Sequence, residues 1–198
     1  MGLNLNYKGS QTPLEEEEKA GLLIPTIATR EELDAFEQNN IEEAMQQVLN
    51  RSVMAEVLLT EKFIRHLHKQ MFGDVWAWAG KFRKTDKNLG VDKWQIATTL
   101  KTLCDDTLFW IRNDTYAPDE VALRFKHSIV SIHCFANGNG RHSRLMADLI
   151  INKLYNKPLF SWGAADLKQE SAARANYLEA IKAADNGNFE LLLRFARN

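Results

Sequence analysis

Only two of the 198 residues are cysteine, Cys104 and Cys134, too few for a disulfide framework and in keeping with a reducing compartment. No apolar run reaches the ~18 residues that a membrane-spanning helix requires. The opening residues, MGLNLNYKGSQTPLEEEE, carry no apolar segment of the kind that heads a secreted chain. A cytoplasmic location without membrane attachment is therefore expected. Charge of one sign is also missing: 25 Lys and Arg face 26 Asp and Glu, a net charge of -1. That balance supplies no global field for nucleic acid or an anionic membrane, and no basic stripe or recognition-helix motif argues for DNA. Zinc motifs are absent too: His66 and His68 diverge on a helix, and neither paired cysteines nor H-E-x-x-H occurs.

Proline is scarce, four in all, and period-two alternation is nearly absent. What remains is helical spacing. Residues 30–51 repeat Leu33, Phe36, Ile41, Ala44 and Val48, with a break expected near Asn39-Asn40. Thr60 reads as an N-cap and Gly73 as the stop of the helix between them. Residues 95–112 return to helix, Pro118 opens another, and Val121, Phe125 and Ile129 recur every fourth residue. Further helices are expected over 141–156, 168–184 and 188–197. Residues 83–96 are the least helical, and Asn88, Gly90 and Val91 suggest a small hairpin. The expectation is an all-α domain over 29–198 with one small β-hairpin flap, preceded by an N-terminal arm, 1–28.

One stretch has no place in an ordinary core: HCFANGNGRHSR, His133–Arg144. Gly138-Asn139-Gly140 falls just before a helix, where amides without internal partners and a positive dipole end make an anion nest. Arg141 and Arg144, three apart, share a helix face and suit a di- or triphosphate. His133 lies before the nest and suits a general base near neutral pH. The P-loop and dinucleotide fingerprints both fit worse: no Lys follows the glycines, and no βαβ alternation surrounds them.

The stretch resembles the signature of the Fic family, H-x-F-x-[DE]-G-N-G-R-x-x-R, at His133, Phe135, Gly138, Asn139, Gly140, Arg141 and Arg144. HKQMFGDVWAWAGKFRK and NYLEAIKAADNGNFELLLRF extend the resemblance to roughly residues 38–196, and the pattern is most similar to the subgroup called mobile mystery protein B. The resemblance implies a helical Fic fold and protein AMPylation. His133 would take the proton of a Tyr, Ser or Thr hydroxyl on a target protein or on the chain itself. ATP would be the co-substrate, with Mg²⁺ or Mn²⁺. Gly138, Asn139 and Gly140 would hold phosphates, Arg141 the β-phosphate side and Arg144 the γ-phosphate, while Phe135 anchors the loop. Asn137 stands where the family carries Asp or Glu for the metal; a neutral amide binds Mg²⁺ more weakly. The flap, about 83–94, would dock a target segment by strand addition.

The resemblance further implies a brake. LDAFEQNN, in a helix at about 30–38, is similar to the family's inhibitory helix and puts Glu37 where its glutamate lies, expected to pair with Arg144. An antitoxin-like partner is the alternative regulator. Other nucleotidyl or phosphoryl transfers on the same scaffold, or a nucleotide-binding regulator with weakened catalysis, stand as alternative functions.

Overall fold

The structure is a computed structural model and describes residues 13–163 and 170–198, with the side chains of 170–174 left out. Two of the helices begin where the sequence offers a side-chain cap. Thr29 accepts the Glu32 amide while the Glu32 carboxylate takes the Thr29 amide, a reciprocal box that satisfies donors the helix itself cannot. It opens α2, Arg30–Leu49. Thr60 likewise accepts the Phe63 amide and starts α4, Glu61–Phe72, which ends at Gly73. Pro118 sits in the first turn of α6, Pro118–Ile132, where its missing N–H costs nothing.

In chain order the described elements are α1 (Glu16–Lys19), α2, α3 (Ala55–Leu58), α4, α5 (Ile96–Arg112), α6, α7 (Asn139–Leu149), α8 (Glu170–Asp185) and α9 (Glu190–Arg197). Two helices make the centre. α6 packs along α7 and α5, α2 lies on α4, and α8 pairs with α9. Ile64, Leu67, Met71 and Phe72 of α4 meet Val121, Phe125 and Ile129 of α6 and Met146 and Leu149 of α7 in one continuous buried cluster. Each such side chain contributes about 1.5–3 kcal/mol by leaving water.

Three expectations change. α2 runs unbroken through Asn39 and Asn40, because Leu33, Glu37 and Ala44 form one buried stripe that spans the pair. The expected helix over 141–156 is α7 followed by a π turn, Ile150–Leu154. The β-hairpin flap is not formed: residues 83–92 are turns and bends, and among the described residues the sole β pairing is an isolated bridge between Leu22 and Trp76.

The buried Arg83 side chain explains the lost hairpin. It donates to the carbonyls of His133 (2.7 Å), Thr85 (2.8 Å) and Val91, and reaches Asp86 at 3.4 Å. Acceptors that a hairpin would pair across its own ladder are spent on one guanidinium. The amides of Arg83 and Val91 donate instead to Cys134 and Ile132. The segment is thus a roof bonded to the end of α6. The arm joins it: Glu18 of α1 accepts from Lys87 (2.6 Å) and Thr85 (3.0 Å), and Trp78 donates to the Glu18 carbonyl. The Glu15–Glu18 run thus contributes one largely buried carboxylate. Of the arm, residues 1–12 lie outside the described part.

Arg83→Met would leave several buried carbonyls without a donor. A loss of about 2–4 kcal/mol is expected in urea unfolding. Limited proteolysis should at the same time gain a cut site within residues 84–92.

Candidate active site

The motif is a reversal between two buried helices. α6 stops at His133, whose backbone is left-handed (φ 56°, ψ 59°). α7 starts after Gly138, also left-handed at φ 77°. A side chain at 138 would be strained by that φ and would meet the Phe72 ring at 2.6 Å. Between the two turns, Asn139 closes the loop on itself: its Oδ1 accepts the Phe135 amide at 3.0 Å and its Nδ2 donates to the Phe135 carbonyl at 2.8 Å. The Asn139 side chain is therefore a loop lock, which leaves the backbone amide as what this residue can offer to the nest. Gly140 is open, with nothing within 4 Å of where a Cβ would stand.

The first amides of α7, the glycine nest, the partly exposed Arg141 and Arg144, and the buried His133 thus come together at one end of α6 and α7. Phe135 is fully buried and stacks on His68 at 3.7 Å between ring centroids. Among the proteins compared, the Fic/DOC family model matches residues 58–151, the stretch holding α4, the roof, α6 and the whole motif. This chain carries a Fic domain.

The solved structures agree on the fold. BepC from Bartonella tribocorum, with AMPPNP bound, superposes at TM-score 0.66 with 15% identity, over 92% of this chain and 97% of that one. An N-terminal Fic domain from Bartonella quintana with bound ADP gives 0.64 with 16% identity, over 87% and 86%. In sequence, a protein adenylyltransferase Fic from Drosophila grimshawi is 26% identical over 151 residues. That alignment takes in 74% of this chain but 30% of the relative, so the chain spans under a third of that protein's length.

Within the Fic domain, His133 is 6% exposed. Burial, reinforced by the positive charges of Arg83 and Lys87, pushes its pKa down to about 4. The imidazole is neutral at pH 7, the form a general base needs. The roof lies close above it: a Cβ on Gly90 would fall 2.7 Å from the His133 Cβ.

Glu37 is brought to the site, but to a different partner than expected. Its carboxylate pairs with Arg141 at 2.6 Å, not with Arg144, and its other oxygen accepts the Trp76 indole N–H at 2.6 Å. The side chain is buried. α2 lies along α4, so position 37 faces the start of α7, where Arg141 also covers the Phe72 ring at 5.0 Å. Arg144, one turn on, instead lies 5.6 Å over the Tyr177 ring of α8.

Metal ligands are thin. Among the described residues no cluster of His, Cys, Asp or Glu could hold an ion. The Asn137 side-chain oxygen accepts the Gly138 amide at 2.6 Å, and Glu37 is committed to Arg141 and Trp76. One neutral, already bonded amide oxygen does not fit Mg²⁺, which favours charged oxygen ligands.

Sequence reasoning missed several supports. His68 accepts the Gly80 amide at Nδ1 and meets the Asn137 carbonyl at Nε2, both 3.0 Å, so its acceptor nitrogen fixes the other as donor. Burial holds its pKa well below the usual value. His142 is buried and bonds the Ile64 carbonyl at 3.0 Å. Arg83 and Tyr177 also act on the site from outside the motif. His127 bonds Asp185 at 2.8 Å, away from the nest.

Burial holds His142, like His133, at about 4. The unfolded chain, with histidines near 6.5, takes protons before the folded one. These groups therefore withdraw stability as pH falls from about 6.5 towards 4, and leave it intact above that window. Histidine ring NMR should place both midpoints near 4, and thermal melts should show a lower Tm at pH 5 than at pH 7.5.

Proposed function

We propose that this Fic domain is a protein adenylyltransferase that moves AMP from ATP to a hydroxyl of a target protein or of itself. The observation that carries the reading is the juxtaposition of a neutral, buried His133 with the free amides and two arginines at the start of α7. In the proposed step His133 accepts the proton of a Tyr, Ser or Thr hydroxyl. That oxygen forms a bond to the α-phosphorus, the bond from the α-phosphorus to the bridging oxygen breaks, and pyrophosphate leaves with the electron pair. The nest amides of Asn139 and Gly140 hold the phosphates, Arg141 the β side and Arg144 the γ-phosphate. Such a site works by positioning and by charge already in place. The nucleotides bound in the Bartonella structures and the name of the Drosophila relative support the reading. Any Mg²⁺ or Mn²⁺ would depend on oxygens beyond Asn137, since position 137 carries an amide and no cluster of acidic or other ligands stands beside it among the described residues. The target segment would lie against the roof, residues 83–94, by side-chain and loop contacts in place of a paired hairpin.

Glu37 gives the site its restraint in this reading. While it neutralises Arg141, the phosphate side of the nest lacks one of its two cations, so phosphate binding has to displace a buried carboxylate. An antitoxin-like partner would act by holding or releasing α2. Asn137 and the Glu37–Arg141 pair favour one second reading, a nucleotide-binding regulator with weakened transfer.

Intact-mass spectrometry separates the two. The full chain is incubated with ATP and Mg²⁺ or Mn²⁺, alone and in lysate. An increment of one AMP is expected, absent in His133→Ala and at least severalfold greater in Glu37→Gly and Glu37→Gln. The second variant keeps an acceptor for Trp76, so lost folding cannot imitate lost restraint. An increment equal in wild type and His133→Ala, or none in any variant while ATP still binds, would defeat the transfer reading and leave the regulator.

A further inference from the structure

Seven residues before His133, on the same helix, Lys126 is fully buried. Its ammonium donates to the Tyr177 hydroxyl at 2.6 Å and lies 4.6 Å from the centroid of the same ring. Arg144 approaches that ring as well, at 5.6 Å, and its Nε is buried without a hydrogen-bond partner. Among the described residues neither cation is paired with a carboxylate. The acid of α7, Asp148, accepts from the Phe160 amide and the Trp162 indole N–H, both at 3.0 Å, and feels the charge of Arg144 without a bond to it.

A buried lysine and a partly exposed arginine thus share one aromatic side chain, with no carboxylate bonded to either among the described residues. Burial, with the charge of Arg144, pushes the Lys126 pKa down to about 7, a sign that the folded chain holds this ammonium at a cost: at neutral pH the group is part amine, and an anion bound nearby draws it to the ammonium. An apolar side chain of the same length would fill the space without that cost. A buried polar arrangement that weakens the fold is expected at a binding site and not in a purely structural core.

We propose that Lys126 is a positioning residue of the terminal-phosphate subsite: through Tyr177 it fixes Arg144, and its buried charge strengthens the pull on the phosphate that Arg144 receives. Lys126 does not touch the nucleotide. It lies behind the tyrosine, and its field crosses a medium of low dielectric, where a charge acts further than in water. The ligand class is an anion longer than a nucleoside monophosphate. The inference rests on the transfer reading above, in which Arg144 takes the γ-phosphate.

The test is calorimetric binding of ATP, ADP and AMP to the full chain, as wild type and as K126M and K126R, each repeated with E37Q so that Arg141 is unpaired. The melting temperature of every variant is recorded alongside. K126M should melt at or above wild type while its preference for ATP over AMP falls roughly five- to tenfold. AMP affinity should stay unchanged, and K126R should restore most of the preference. A K126M chain that keeps the full ATP preference would overturn the role of Lys126 and leave the transfer reading standing. So would a K126M chain with a lowered melting temperature and equal losses for ATP and AMP, the signature of a structural lysine. Failure of the wild-type and E37Q chains to distinguish ATP from AMP would overturn the terminal-phosphate subsite itself, and the inference with it.

Discussion

Two hydrogen bonds between the Asn139 carboxamide and the backbone of Phe135 hold the site in shape. They close a four-residue span between two left-handed turns, at His133 and Gly138. The reversal they fix aims the end of one buried helix at the start of another. His133 comes from the end of the first helix, the amides of the nest and both arginines from the second. A side chain at 139 lacking either a donor or an acceptor would leave one of the two Phe135 groups unpaired in the interior, where that costs about 1–3 kcal/mol. Phe135 is held in turn by His68, whose own tautomer is set by Gly80. The chain of dependence therefore runs from a turn in the middle of the sequence to the atoms that would meet a nucleotide.

Around this turn the protein gathers positive charge and then decides how much of it to neutralise. Arg83 is absorbed by carbonyls, Lys87 by Glu18, and Arg141 by Glu37. Among the described residues, Arg144 and Lys126 have aromatic and hydroxyl partners and no bonded carboxylate. The net charge of -1 hides all of this. A global balance near zero is compatible with a strongly positive pocket when the compensating acids sit elsewhere on the surface. The depressed basicity of His133 follows from the same gathering, since burial and two neighbouring cations all disfavour a further proton.

Much of the fold was legible because its signals are local. Thr60, Gly73 and Pro118 mark helix boundaries by side-chain chemistry that acts within one turn, and the glycines of the motif announce a backbone that only they tolerate easily. The failures share a different cause. Asn39-Asn40 looks like a break, yet the buried stripe of α2 overrides local propensity. Gly90 and its neighbours look like a hairpin, yet Arg83 captures the acceptors, and nothing in residues 83–96 alone says where a guanidinium will point. The partner of Glu37 was misjudged for the same reason: which of two arginines one turn apart faces α2 depends on how α2 and α7 cross. Lys126 and Tyr177 are 51 residues apart and have no shared pattern to betray their contact.

The stretch matched by the family model, residues 58–151, does not complete its own site. Trp76 and Arg141 find their acid on α2, Lys87 finds its acid on α1, and Lys126 and Arg144 lean on a tyrosine of α8. Each of those outside residues adjusts a charge within the shared stretch without altering its motif. The chain is thus built as a chemical kernel inside an electrostatic collar supplied by helices before and after it. Exchanging a collar residue would reset the charge of the kernel while leaving every residue of the motif in place.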